Sequence, residues 1–311
     1  MMHRTPLIIS TDPGIDDAVA ITIALFAPQL DLKLIVATWG NVALEKTLAN
    51  AMRLETFLQT KVSVARGAQM PLLRPVINAA AVHGESGMAG YTFPEPDSRL
   101  LDHRLAAEAL HEVVSTSPEK VTLMQIGPAT DFALYFRQFP EDLTKIAKLV
   151  IMGGALGRGN WGPYSEYNVA GDPEAAQIVF SSGVPIMLAP LELGQQAFVD
   201  QQVLNKIRNL GRTGDMLYHL LTALNDQTAN DGREIYDALA VGMLLRPDMY
   251  TFASAYVAVD TKSPLSYGAS VIDFDDFFDK PQNAQVGVKV DRQEFNSWFV
   301  EAISRADKQG E

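Results

Sequence analysis

LIISTDPGIDDAVAITIALFA, Leu7 to Ala27, holds a strand, a tight turn and a helix in one short stretch. Leu7 to Thr11 is an apolar, β-branched run of the kind buried on both faces in a parallel sheet. Asp16 to Ala27 is a helix, and Pro13 with Gly14 makes the turn between them. The alternation continues along the chain. Leu32 to Trp39 is a predicted strand, and Ala43 to Leu58 a helix with Leu48, Met52 and Leu54 near one face. Val121 to Ile126, Leu149 to Met152 and Val184 to Leu188 are predicted central strands, with helices from about His103 to Ser115, Asp131 to Phe139 and Pro173 to Phe180. Short strands separated by helices predict right-handed crossovers, hence an α/β fold with an open, mostly parallel sheet of roughly six strands or more flanked by helices.

The rest of the chain adds to this plan. Helices resume from about Val203 to Asn225, and Ala253 to Val259, Ala269 to Asp273 and Gln285 to Val290 are expected as edge strands before a terminal helix from about Arg292 to Ala306. Gln69 to Arg99 is interrupted by prolines and glycines and has no period, so it is expected as a long loop or flap, a kind of segment that is usually functional. Without a repeat or linker, residues 1–311 are expected to form one domain.

Composition excludes several function classes. The 311 residues are 47% apolar and 20% charged, ample for a large core. Asp plus Glu number 37 against 25 Lys plus Arg, a net charge of -12 that repels phosphate backbones and anionic lipid. No nucleic acid polymer and no membrane is therefore expected as a partner. The absence of cysteine removes disulfides, thiolate metal sites and a thiol nucleophile, leaving oxygen and nitrogen groups for any chemistry. The apolar run Ala18 to Ala27 is about half a membrane span and follows aspartates rather than a basic segment, which points to a soluble cytoplasmic protein.

Asp12, Asp16 and Asp17 crowd the strand-to-helix turn. A helix cap at Asp16 and a favourable dipole position at Asp17 explain two of them. Asp12 is left at the carboxyl end of a buried strand, where open α/β sheets place ligands. All-oxygen ligation without histidine or cysteine suits a hard cation, Ca²⁺ before Mg²⁺. A second cluster, from Gly153 to Ala176, also begins at a strand end and offers Asn160, Glu166 and Asn168, groups that pair with sugar hydroxyls. Against that, Asp172 before Pro173 is a good helix cap, and Glu166 and Asn168 are evenly balanced between loop polarity and ligand. Asp237, opening the helix in YDALAVGMLL, is by itself a cap, and His83 in HGESGMAG by itself a surface histidine. No HExxH spacing, nucleophile elbow or phosphate loop is present. A HAD-like phosphatase would need a second aspartate two residues beyond its nucleophile, whereas Asp12 is followed by Pro13 and Gly14.

STDPGIDDAVAI, GNVALEKT from Gly40, HGESGMAG from His83, IGPATD from Ile126, VIMGGALGRGN from Val150, EYNVAGDPEAA from Glu166 and YDALAV from Tyr236 together resemble the inosine-uridine preferring nucleoside hydrolases, over essentially the whole chain. The resemblance implies hydrolysis of ribonucleosides to ribose and free base, one Ca²⁺ per subunit, and a homotetramer or homodimer. By position it implies calcium ligation by Asp12, Asp17, the Ile126 carbonyl and Asp237. Asp16, Asn41, Asn160, Glu166 and Asn168 would hold the ribose hydroxyls with Met152 close by, and His83 and Tyr167 would lie near sugar and base. Asp12 would serve as general base. Three positions depart from the family pattern: Ser10 for an aspartate, Asp131 for an asparagine, and Tyr236 for the histidine associated with protonating the base. Tyr236 is a poorer acid than imidazole, so Tyr236, His83 or stacking on Tyr167 or Trp161 is left to help the base depart, with pyrimidines favoured. Ser10 and Tyr236 also leave open a non-catalytic nucleoside binder.

Overall fold

The computed structural model describes residues 3–223 and 232–308. Among them the strands are, in chain order, β1 (Thr5–Thr11), β2 (Leu30–Ala37), β3 (Ser63–Arg66), β4 (Leu101–Leu105), β5 (Val121–Gln125), β6 (Ile146–Met152), β7 (Ile186–Ala189), β8 (Phe198–Asp200), β9 (Gly232–Glu234), β10 (Tyr250–Val259), β11 (Ser270–Asp273) and β12 (Ala284–Val290). Pro6 to Thr11 are all buried. Their alternation sends Leu7 and Ile9 into one core layer, with Ile21, Val241 and Phe299, and Ile8 into the other, with Phe132 and Val179. A strand apolar on both faces must lie inside a sheet covered on both sides. β1 does so, pairing in parallel with β2 and β5.

Among the described residues ten strands form one sheet in the order β11-β10-β12-β7-β6-β5-β1-β2-β3-β4, while β8 and β9 make a separate ribbon. Neighbours from β4 to β12 run parallel; β10 and β11 are antiparallel additions. The chain leaves β1 toward β2, β3 and β4 on one side and returns at β5 on the other. Strand order therefore reverses between β1 and β5, and a crevice opens beyond their carboxyl ends.

Two expectations need correction. Leu101–Leu105 is the edge strand β4, and the helix expected from His103 starts at Ala106, because pairing with β3 claims the preceding residues. Two of the three expected edge strands are interior: β12 joins β7 in parallel and β10 in antiparallel fashion, linking the parallel sheet to its extension, and β10 lies between β12 and β11, which alone forms that edge. Helices Gln201–Arg208 and Arg212–Ala223 occupy the region expected to be helical from Val203, whose end at Asn225 lies outside the described residues. No helix among the described residues is long and apolar enough to cross a membrane.

Glu55, fully buried in the helix Leu44–Leu58, takes the Val62 N–H on Oε2 at 3.0 Å. Burial pushes its carboxyl up to about 7. The neutral form is thus favoured in the fold, so its contribution to stability is present below the unfolded value near 4.5 and is lost as pH rises through about 7. Glu55→Gln should consequently gain stability relative to the parent between pH 5 and 8, by about 1.4 kcal/mol per unit of difference in pKa at most. Thermal melts of both proteins across that range check this, and parallel curves would refute it.

Candidate active site

The turn after β1 is built around carboxylates held by backbone. Asp17 Oδ1 accepts the Thr11 hydroxyl at 2.6 Å and the Asp12 N–H at 3.2 Å, while Oδ2 accepts the Gly14 N–H at 2.9 Å and Asn41 Nδ2 at 3.1 Å. Gly14 is the N-cap of the helix Ile15–Phe26 and makes no side-chain cap bond of its own. The capping role expected of Asp16 therefore belongs to Asp17, three residues into the turn. Asp16 is left to face the cleft, where its carboxylate takes the Tyr236 N–H.

Asp12 lies beneath the cleft rather than on its wall, 1% exposed. Its Oδ2 accepts the Asn41 N–H at 2.6 Å, and Asn41 Nδ2 returns to the Asp12 carbonyl at 3.1 Å. Its Oδ1 has no hydrogen-bond partner among the described residues. The space around it depends on two glycines: a Cβ on Gly40 would collide with Oδ2, and one on Gly127 would come within 2.5 Å of Oδ1. Gly127 follows β5, so the orphaned oxygen points into the β1/β5 crevice.

Asp237 is the first residue of the helix Asp237–Leu245, whose N-cap position belongs to Tyr236, contrary to the capping expectation. It is buried against the same cluster. Desolvation, then the charges of Asp17, Asp16, Asp12 and Glu166, raise its carboxyl well above the usual range. Asp12 is raised likewise by burial and then by Asp17, against the Asn41 N–H. Asp16 is pushed up to about 7 by burial and Asp17. After burial, the charges that raise each of these carboxyls are those of other carboxylates, a repulsion that a cation would relieve. Among the described residues no three Asp, Glu or His side chains form a ready-made ligand group. The donor chemistry nonetheless fits a hard ion: buried oxygens of like charge, one of them orphaned, beside the Ile126 carbonyl, which otherwise takes Asn168 Nδ2 at 3.2 Å.

A cleft of about 430 Å³ opens above the cluster, within the size range of small-ligand sites. Asp16, Asp17, Asn41, His83, Ile126, Met152, Asn160, Glu166, Tyr167, Asn168, Tyr236 and Asp237 all line it, so of the residues expected at the site only Asp12 sits below its wall. Glu166 caps the helix Tyr167–Gly171, taking the N–H groups of Asn168 at 2.9 Å, Val169 at 3.2 Å and Gly154 at 2.9 Å. Burial still pushes it up to about 7. Asn160 Oδ1 accepts the Tyr167 N–H at 2.9 Å, and the Tyr167 hydroxyl donates to the Gly40 carbonyl at 2.9 Å. The Tyr167 ring meets Trp161 edge-on, 5.3 Å between centroids.

His83 comes from the flap, in the short helix Ala80–His83. Its Nδ1 accepts the Ile15 N–H at 3.2 Å, which leaves the ring proton on Nε2. Burial lowers its pKa to about 4, so it is a neutral donor. The flap is pinned at several places. Asn50 Nδ2 donates to both Pro13 O at 3.1 Å and Ser86 O at 2.8 Å, joining the aspartate turn to the His83 loop. Asp172 does cap the helix Pro173–Phe180 as expected, and its Oδ2 also accepts the Leu72 N–H at 2.9 Å and the Thr130 hydroxyl at 2.7 Å.

Sequence reasoning missed Asn78, Arg233 and Glu234 on the cleft wall. None lies at the carboxyl end of a strand of the main sheet, where the aspartate turn sits: Asn78 belongs to the flap, and Arg233 and Glu234 to the separate β8-β9 ribbon. Of the departures, Ser10 is buried, its hydroxyl without a hydrogen-bond partner among the described residues, and its register partner on β5 is Gln125. Asp131, pushed up to about 6 by burial, takes the Ala68 N–H and feels Asp172 rather than the aspartate turn. It does not restore the charge that Ser10 lacks.

Comparison with known proteins is consistent with this geometry. The sequence profile described as inosine-uridine preferring nucleoside hydrolase matches residues 7–297. The non-specific ribonucleoside hydrolase RihC of Escherichia fergusonii is 43% identical over 303 residues, 97% of this chain and 99% of the relative. RihC of Salmonella newport is 43% identical over 300 residues, 96% of this chain and 98% of the relative. Among solved structures, a purine-preferring ribonucleoside hydrolase from Gardnerella vaginalis superimposes with a TM-score of 0.91 at 28% identity, covering 98% of this chain and all of that one.

Proposed function

Because the chain belongs to the inosine-uridine preferring nucleoside hydrolase family, we propose that it hydrolyses the N-glycosidic bond of ribonucleosides with calcium, leaning toward pyrimidines. The observation that carries this reading is the orphaned Asp12 Oδ1 in a buried carboxylate cluster beneath a nucleoside-sized cleft. Asp12, Asp17, Asp237 and the Ile126 carbonyl would hold Ca²⁺, which when bound supplies positive charge that offsets their repulsion and acidifies water at the sugar.

The chain's own residues do the rest. Water attacks C1′ as the bond to the base nitrogen breaks and its electron pair leaves with the base. Asp12 Oδ1 takes the water proton, since Oδ2 is tied to the Asn41 N–H. Asp16, Asn160, Glu166 and Asn168, with Asn41 between them and Asp12, orient the ribose hydroxyls. His83 donates from Nε2 as a neutral imidazole. The Tyr236 hydroxyl donates to Glu234, so it is not offered to a departing purine. A pyrimidine leaves more readily under these conditions, because donors at its carbonyl oxygens can stabilise the charge it takes away.

Release of reducing sugar from inosine, adenosine, uridine and cytidine tests the proposal. Uridine and cytidine should lead, and Tyr236→His should raise kcat/KM for inosine relative to uridine. Equal changes, or a parent that prefers inosine, would remove the pyrimidine reading; binding without release would make the protein a binder. The metal has its own test. Calcium added to chelator-treated protein should raise the Tm, by about 2.7 kcal/mol of stability at a hundredfold excess over Kd. Asp237→Asn should abolish that shift while melting higher than the parent without calcium, because one buried like charge is gone. A calcium response that survives in the variant would remove Asp237 from the ligand set.

A further inference from the structure

The wall of the cleft contributed by β9 and the residues after it carries groups that the hydrolytic scheme leaves idle. Tyr236 spans the two parts of the site: its backbone N–H is held by the Asp16 carboxylate, and its side chain leads to Glu234. Its ring packs where a Cβ on Gly194 would collide with it, which fixes its direction. Glu234 Oε2 receives the phenolic proton, and Oε1 accepts no hydrogen bond from the described residues. Both side chains are half-buried and line the cleft.

A phenol has one proton to give. With that proton on the bond to Glu234, the Tyr236 oxygen can meet a ligand only as an acceptor, and a carboxylate is itself an acceptor alone. We propose that Glu234 determines base specificity: with Tyr236 it presents a wall of acceptors that selects nucleobases carrying an N–H on the edge turned toward it. The inference rests on the ribonucleoside hydrolase reading above. Uracil at N3, hypoxanthine at N1 and the amino groups of cytosine and adenine all supply such a donor. This suits a broad choice of bases, while a base with an alkyl group or a bare carbonyl on that edge covers the half-buried Glu234 carboxylate without giving it a donor in place of water, and that is what produces discrimination.

The test compares kcat/KM for uridine with 3-methyluridine, and for inosine with 1-methylinosine. Methylation removes the N–H and leaves the ribose and the glycosidic bond in place. The parent should reject each methylated nucleoside by at least about tenfold. In Glu234→Ala that ratio should fall to within about threefold, chiefly through the KM of the unmethylated substrates. Tyr236→Phe should reduce it part of the way, because Glu234 remains. Rejection of 2′-deoxyuridine should be unchanged in both variants, a readout that general damage to the fold would not preserve. An active parent that accepts both members of each pair equally, or a Glu234→Ala protein that keeps the parental ratio or loses all substrates alike, overturns the inference alone. A parent that releases ribose from none of the unmodified nucleosides overturns the hydrolase reading and this inference with it.

Discussion

Asp12→Asn should lower kcat by on the order of 10² to 10⁴-fold for every ribonucleoside, because a general base contributes about that much and a ligand charge disappears with it. The amide is nearly isosteric. Its oxygen can keep the Asn41 N–H bond now made by Oδ2, so the turn should stay folded. The Asp12 carboxyl is held above its usual range first by burial and then by Asp17, and the neutral amide removes that cost. The variant should therefore melt no lower than the parent in the absence of calcium. Steady-state rates within about tenfold of the parent would exclude Asp12 as the base; a large fall in Tm would mean that inactivity reports unfolding.

Removing one hydroxyl from the substrate should have an effect of similar size. Sites built to hydrogen-bond a hydroxyl reject the analogue lacking it by about 10⁴ to 10⁵. Here Asp16 is half-buried on the cleft wall with its carboxyl pushed up to about 7, so a missing 2′ hydroxyl leaves it covered by the sugar without the partner that would replace water. Comparison of uridine with 2′-deoxyuridine should give a kcat/KM ratio near the lower end of that range. A ratio below about tenfold would mean that the cleft recognises the base and ignores the sugar.

The parts of this molecule visible in its sequence are those whose causes are local. β1 and the helix after it follow from an apolar run, a Pro-Gly turn and a second apolar run, and the residues at strand ends follow from the rule that parallel sheets bind ligands there. Which aspartate caps the helix was not visible, because Asp16 and Asp17 are adjacent and the choice turns on the geometry of Gly14. Leu101–Leu105 lacks β-branched residues and becomes a strand through pairing with β3, a tertiary influence that overrides propensity. Asn50 and Glu234 act through contacts made at long range or across an irregular turn, and hydrophobic period carries no trace of either.

The order of strands in space also sets an order in time. β1 is made first, and its second neighbour, β5, ends at Gln125. A growing chain can therefore close the block β4-β3-β2-β1-β5 well before the remaining strands emerge, and β6, β7 and β12 then add outward along one edge. The helix Ile15–Phe26 does not share this schedule, since it packs against the helices Asp237–Leu245 and Arg292–Lys308. Its apolar face must wait on the ribosome for the last third of the protein. Chains halted shortly after β6 should thus present an ordered half-sheet with one uncovered helix, the kind of surface that chaperones hold and that aggregates when they do not.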